Sequence, residues 1–384
     1  MDTPGPIALD GGQGEGGGQI LRTALSLSAI TGRPFRIDHV RKSRMKPGLR
    51  PQHLAAVRAT ALLTGARVEG DDVGSPSISF APRRKVPPGA WRFDIGTAGS
   101  APLLFQTLCW PLALAGAPIQ LSLLGGTHQD HSPSFHYLAL VWAPAVARLG
   151  FQFDLSLQRA GFYPEGGGEV TAEVQPARPM PPLDLRHRGT LIEAEVLSLV
   201  AGLDFPVAER QAERAERRMR EAGVLGQVRS VPLPTGPSRG SHVLVVARFE
   251  RTRSGHGATC EQGREPERTA DAAVGAFARF LDGHAAVDPN LGDQLLLPAA
   301  LVAAGQVPRP AGVESATLYT VSEMTRHLAT NAEVIRAFLP VEIETLGEEG
   351  GEGTVAVRPL GPSQQARTIP SSGTRARWPE GAPG

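Results

Sequence analysis

Asp10-Gly-Gly-Gln-Gly-Glu-Gly-Gly-Gly-Gln19 leads into an apolar stretch at residues 20–30, and Asp94-Ile-Gly-Thr-Ala-Gly-Ser100 leads into a second one. Laid on one another at a single offset, the two segments match Asp10 with Asp94, Gly12 with Gly96, Thr23 with Thr107, Gly32 with Gly116 and Pro34 with Pro118. Each reads as a strand, a Gly- or Ser-rich loop, an apolar helix, a Gly stop and a strand. Gly32 and Gly116 fall where a helix needs a left-handed residue to end. The match continues outward. Residues 52–65 and 135–150 read as amphipathic helices ending in Gly, followed by strand-like runs within 68–80 and 151–174. The unit is β-α-β-α-β-β, and matched identities at one offset mark it as an internal repeat.

A third copy is degenerate. Residues 291–304 read as a helix ending at Gly305, 313–321 as a strand, 327–338 as a second helix, and 341–345 with 354–357 as a closing hairpin. The expected fold class is therefore α/β (α+β), with three repeated β-α-β-α-β-β units at about residues 7–83, 90–178 and 285–358. They make a core of residues 1–185 and 282–358. Residues 186–281 read as a small inserted α/β domain, with strand-like runs at 191–200 and 243–249 and charged helices at 207–222 and 269–281. Residues 359–384, rich in Pro, Gly, Ser and Arg, read as a disordered tail.

Composition narrows the function classes. With 41% hydrophobic and 20% charged residues, the chain has the make-up of a soluble globular protein. A net charge of +1 provides no global basic field for long duplex nucleic acid, so any such site must be local. Two cysteines, Cys109 and Cys260, exclude a disulfide framework and a Cys-based metal centre. Residues 1–7 have neither the basic nor the apolar region of a signal peptide. The longest apolar run, residues 103–117, contains Pro111 and Gly116 and is too short to span a bilayer. A cytoplasmic protein with no membrane partner is expected, and nothing in the pattern fixes its oligomeric state.

Five segments carry residue types suited to chemistry. The Gly-rich loop at 10–19 lets main-chain N–H groups approach a phosphate ahead of a helix N-terminus, and Glu15 is a candidate Mg²⁺ ligand there. No Gly-Lys-Ser/Thr follows, so it is not a P-loop. Arg41-Lys-Ser-Arg-Met-Lys-Pro-Gly-Leu-Arg50, with Gln52 and His53 behind it, suits a terminal phosphate or an RNA backbone. Gln106, beyond the second loop, falls opposite Arg22 in the repeat, which suggests a shared cleft. Gly125-Gly-Thr-His-Gln-Asp-His131 offers two imidazoles and a carboxylate, but the spacing is not that of a closed zinc site. Arg326-His327-Leu-Ala-Thr-Asn331 places His327 at the start of an apolar helix; a neutral imidazole is a competent nucleophile towards a phosphate ester.

Taken in order, these residues resemble a known family. The stretch at 9–28, Lys46-Pro-Gly-Leu-Arg-Pro-Gln-His53, Gly161-Phe-Tyr-Pro-Glu-Gly-Gly-Gly168, Asp293-Gln-Leu-Leu-Leu-Pro298 and His327-Leu-Ala-Thr-Asn331 are similar to the collinear signatures of the RNA 3'-terminal phosphate cyclases. The likeness spans residues 7–345, is weak in the insertion and absent in the tail. It implies an ATP-dependent enzyme that uses Mg²⁺ or Mn²⁺ and acts on RNA with a 3'-phosphate end. His327 would become adenylated, AMP would pass to the RNA 3'-phosphate, and the 2'-OH would close a 2',3'-cyclic ester. The resemblance further implies ATP contacts from Gln106, Asn290, Leu291, Gly292, Asp293 and Gln294. Glu15 would bind the metal. Arg22, Arg41, Arg44, Gln52 and His53 would hold phosphates of the nucleotide or RNA end.

Asn290 departs from the family, where that position is often aromatic or His and can stack on adenine. The His-rich run at 127–136 is a second departure. Non-catalytic relatives that bind RNA in ribosome assembly are the alternative reading, but they lack the nucleophilic histidine that is present here as His327. Enolpyruvyl transferases resemble the repeat architecture alone, and fold does not carry function.

Overall fold

The computed structural model describes residues 5–14, 17–181, 183–260, 263–307 and 316–361. Its first sheet is formed by β1 (Ile7–Asp10), β2 (Phe35–Asp38), β3 (Arg67–Glu69) and β4 (Ile78–Ala81), with α1 (Gln19–Thr31) and α2 (Pro51–Thr64) between the early strands. The second contains β5 (Ala90–Asp94), β6 (Ile119–Gly125), β7 (Phe153–Arg159) and β8 (Gly168–Val174). Its helices are α3 (Ala101–Ala113), α4 (Phe135–Tyr137) and α5 (Ala143–Ala147). Both sheets have the spatial order first, second, fourth, third strand, with the first pair parallel and the others antiparallel. β8 buries every other residue, as a strand covered on one face should.

The chain then forms β9 (Asp184–Leu185) and a separate sheet of β10 (Leu191–Ala201), β11 (Gln227–Pro232), β12 (Gly240–Phe249) and β13 (Arg253–Thr259). Helices α6 (Pro206–Glu221) and α7 (Pro266–Asp282) accompany it. After α8 (Pro289–Gln294) and α9 (Leu296–Ala303) come β14 (Thr317–Val321), α10 (Arg326–Phe338), β15 (Val341–Leu346) and β16 (Gly353–Pro359). The last sheet, ordered β15-β16-β14-β9, repeats the strand order of the first two. Its first strand is β9, paired parallel to β14, and β9 precedes residues 186–281 in the chain. Residues 186–281 therefore interrupt the third sheet's chain path instead of lying before it. Two residues are too few to show a period of two, so β9 left no trace in the sequence pattern.

Two expected helices are broken, each by a proline. The helix expected at 135–150 contains a wide turn at Leu138–Trp142, where the Ala143 N–H bonds Leu138 O five residues back. Pro144 has no N–H to offer Leu140 O, and Arg253 of β13 donates to that carbonyl instead (3.0 Å). The helix expected at 291–304 stops at Gln294 and resumes at Leu296. Pro298 leaves the Gln294 carbonyl without a helical donor and crowds it. Part of the strand expected at 313–321 and the tail beyond 361 lie outside the described residues.

One continuous apolar core runs beneath the three similar sheets, and a second lies between the inserted sheet and α6 and α7. β12 divides its side chains between them. Val243 and Val245 face the insert's own core, whereas Leu244 and Val246 pack against the main one. At this seam the imidazoles of His128, His136 and His242 gather: His128 Nε2 and His136 Nδ1 are 2.8 Å apart, and the His128 and His242 ring centres 5.5 Å. Among the described residues, no helix is long and apolar enough to cross a membrane.

Burial disfavours the charged imidazole, so His136 is pushed down to about 4 and His242 and His256 to about 3; His128 is also driven well down. Unfolded imidazoles, ordinarily near 6.5, take up protons that the folded ones refuse. Stability from these four groups is thus full above about pH 6.5 and is lost as the pH falls from there towards 3. Asp288, pushed up to about 6 by burial, and Asp293, also raised by burial, work in the opposite sense but are outnumbered by the buried imidazoles. The melting temperature, followed by scanning calorimetry, should fall between pH 7 and pH 4.5, and His242→Gln should flatten the fall. An equally steep profile in that variant would contradict the assignment.

Candidate active site

The helix α1 begins on Gly18, which provides no side-chain cap, so its first N–H groups are left to other partners. Glycine is required here because of what crowds around it. A β-carbon on Gly18 would collide with His53 Nε2 and come within 2.8 Å of Arg22 Nη1. One on Gly17 would lie 3.3 Å from Arg44 Nη2. The turn thus brings an imidazole and two guanidinium groups to the positive end of a helix, an arrangement that attracts anions.

His53 is fixed by its own helix. Its Nδ1 accepts the Arg50 N–H at 3.1 Å, so in the neutral ring the proton sits on Nε2, which then faces the loop as a donor. Burial, reinforced by Arg22, Arg41 and Arg50, pushes its pKa down to about 3 and keeps the ring neutral. Arg22 is lowered to about 10 by loss of water, against the pull of Asp293, and stays charged at neutral pH.

A cavity of about 400 Å³ opens beside this turn. Arg22 and Gln19 of α1 form one wall; Asn290, Asp293 and Gln294 of α8 form another; His327 of α10 closes an end. The N-cap of α10 is Thr325, whose Oγ1 accepts the Leu328 N–H at 3.1 Å, and this fixes His327 in the first turn. Asp293 accepts both of its Gln19 Nε2 contacts, at 2.6 and 2.8 Å, and the Asn331 Nδ2–H at 3.0 Å. Burial raises its carboxyl above the ordinary range, while the neighbouring His327 and these donors pull it back. An adjoining hollow of about 100 Å³ is lined by Gln106, which donates to Gln294 Oε1 at 3.0 Å, and by Arg22. The shared cleft expected from the repeat is present.

Not every expected contact lies in the cavity. Leu291 is fully buried in the core, and a β-carbon on Gly292 would run into Val321, so both face inward. Arg41 braces the basic loop by donating to Lys46 O (2.8 Å) and Gly48 O (3.2 Å). Arg44 is exposed beside Gly17, and Gln52 is exposed against Gly99. Glu15 lies outside the described residues. The sequence reading did not assign Gln19, although it ends the Gly-rich loop, or the wall contributed by the insert through His242, Gly257 and Thr259. Strand periodicity says nothing about that wall, because it depends on how β12 and β13 dock.

A bound Mg²⁺ or Mn²⁺ calls for oxygen ligands and, when carried on a triphosphate, for only one or two protein carboxylates. Among the described residues no three acidic, imidazole or thiol groups form a closed metal cage. Asp293 provides a carboxylate at the cavity wall, which fits the second kind of site.

Comparison with known proteins fits this arrangement. The family model described as RNA 3'-terminal phosphate cyclase matches residues 13–345. The chain is 43% identical over 347 residues to the RNA 3'-terminal phosphate cyclase of Ralstonia nicotianae, covering 90% of this chain and 95% of that one. It is 40% identical over 343 residues to that of Koribacter versatilis, covering 89% and 92%. For that of Methylococcus capsulatus the identity is 39% over 358 residues, covering 91% and 96%. With a family match over most of its length and relatives this similar, the chain belongs to the RNA 3'-terminal phosphate cyclase family.

Proposed function

We propose that this protein converts an RNA 3'-terminal phosphate into a 2',3'-cyclic phosphodiester at the expense of ATP, with His327 as the covalent nucleophile. The observation that supports it best is the meeting of His327, Asp293 and Arg22 on one cavity in a chain of the cyclase family. An imidazole nitrogen of His327 attacks the α-phosphorus of ATP; a P–N bond forms, a P–O bond breaks, and pyrophosphate leaves. The ring gains positive charge as that bond forms, and the neighbouring Asp293 carboxylate stabilises it. Arg22 offsets charge building on the phosphoryl oxygens. The adenylate then passes to an oxygen of the RNA 3'-phosphate, which releases His327. Finally the 2'-OH attacks that phosphate, its proton is lost, and AMP departs as the ring closes.

The α1 N-terminus, Arg44 and the neutral His53 donor suit the RNA 3'-phosphate, since all are donors or cations around one turn. Gln106, Asn290 and Gln294 suit the nucleotide. Asn290 is exposed and has no ring, so adenine stacking on that side is weaker by about 1–3 kcal/mol than on an aromatic residue. Asp293 would hold a divalent cation, which supplies charge neutralisation to the leaving pyrophosphate; Glu15, the metal ligand that the resemblance implies, lies outside the described residues. The shared strand order of three sheets supports a core of three repeated units, and the separate apolar core of residues 186–281 supports an inserted domain. A chain with only two cysteines fits a cytoplasmic setting, where thiols stay reduced.

Incubated with Mg²⁺ and α-labelled ATP, the denatured protein should carry acid-labile, alkali-stable label, and His327→Ala should abolish it. Label persisting in that variant would identify a different nucleophile, and unlabelled wild type would favour an RNA-binding role without turnover. Arg22→Ala should slow self-labelling roughly 100-fold, as loss of a preorganised donor does. In a cyclisation assay Arg44→Ala should raise the KM for 3'-phosphorylated RNA more than that for ATP; the reverse order would move Arg44 to the nucleotide.

A further inference from the structure

The helix α8, which presents Asn290, Asp293 and Gln294 to the cavity, is only six residues long. So short a helix has little stability of its own, and its position must be imposed by its surroundings. The surroundings converge on Asp288, the residue that caps it. Asp288 is completely buried. Its Oδ1 accepts the Asn290 N–H at 3.0 Å and the Leu291 N–H at 2.9 Å, which are the first free donors of α8. The same oxygen accepts the Tyr137 hydroxyl at 2.9 Å, and Oδ2 accepts the Gly255 N–H of β13 at 3.1 Å.

These donors come from three separate parts of the molecule: α8, the helix that follows β6, and the inserted sheet. Gly255 makes the third approach possible. A β-carbon there would come within 2.6 Å of Tyr137 Cδ2 and 2.8 Å of Val141 Cγ2. Without one, β13 lies flat on the Tyr137 ring and its N–H reaches the carboxylate. The strand that makes this contact continues to Gly257 and Thr259, which line the same cavity as α8.

We propose that Asp288 is a positioning residue for nucleotide binding: it ties the inserted domain and Tyr137 to α8, and so sets the spacing between the two walls that face ATP. The inference rests on the nucleotide occupying this cavity, as the preceding reading has it. It gives the insert a task in the reaction, namely to complete and brace the nucleotide side of the site. Among the described residues, the RNA-end side around the α1 N-terminus and His53 shares no hydrogen bond with Asp288.

The test compares wild type with Asp288→Ala, Asp288→Asn and Tyr137→Phe. ATP binding is read by titration calorimetry, which needs no chemistry at His327. Binding of a short 3'-phosphorylated RNA and the melting temperature are measured on the same samples. Stripping acceptors from buried donors weakens ATP binding about tenfold or more in Asp288→Ala. Tyr137→Phe, which keeps the ring and loses one donor, shows a smaller loss, and Asp288→Asn recovers part of the affinity because its amide oxygen can still cap α8. RNA-end affinity falls less than ATP affinity, since α8 reaches that site at one remove, through the Asp293–Gln19 contact. Folded Asp288→Ala with wild-type ATP affinity overturns the proposal. So does a parallel loss of ATP and RNA-end affinity, which would mark a purely structural role. Should Asp288→Ala fail to fold, Tyr137→Phe decides: unchanged ATP affinity in that variant rejects the proposal. Normal ATP binding in a wild type that takes no label would instead reject His327 chemistry and leave the positioning role standing.

Discussion

The Asp293 carboxylate binds Gln19 of α1 and Asn331 of α10 at once, and the site depends on that three-way contact. It joins α8, α1 and α10 through one carboxylate and so fixes their mutual orientation, which apolar packing alone does less well. The Asn331 amide oxygen extends the network by accepting the Thr23 hydroxyl at 2.8 Å, and Ser26 one turn on donates to Thr107 O at 2.7 Å. A chain of polar contacts therefore crosses from α10 through α1 to α3 inside an otherwise apolar interior. Each is satisfied, as buried polar groups must be if they are not to oppose folding. The outcome is an imidazole, a guanidinium and a carboxylate held on one wall system by three different elements.

Much of this was legible in the residue order. Matching Thr23 with Thr107 and Arg22 with Gln106 placed two helices at equivalent points, and the structure packs them side by side. Gly32 does end α1 in a left-handed conformation, with φ of 72°. Gly116 also has a left-handed φ, of 85°, though α3 has ended three residues earlier. What escaped the sequence reading was decided by tertiary contacts. The break at Leu295 and the wide turn near Trp142 arise because Pro298 and Pro144 cannot donate to the Gln294 and Leu140 carbonyls four residues before them. Leu291 and Gly292 directly precede a recognisable motif, yet the helix turns them into the core, because nearness along the chain does not set direction. The insert's share of the cavity wall follows from the docking of β12 and β13, for which no local pattern exists.

The histidine-rich run has a structural explanation in the same docking. His128 stacks on Phe162 with ring centres 5.3 Å apart, and its Nδ1 lies 2.8 Å from Thr127 Oγ1. His242 approaches from the insert with Nδ1 3.0 Å from Thr259 Oγ1. Flat, neutral rings with a polar edge suit a buried seam that must satisfy hydroxyl groups.

Arg253 reaches from β13 to the Leu140 carbonyl that Pro144 cannot serve. The body of the protein has thereby surrendered one of its own helical bonds to a guest sequence. A version of this chain trimmed back to three sheets would inherit that unanswered oxygen, together with bare patches where Leu244 and Val246 now rest. Insertion and host have become mutually dependent, so shortening the protein is a problem in redesigning a surface, not in closing a loop.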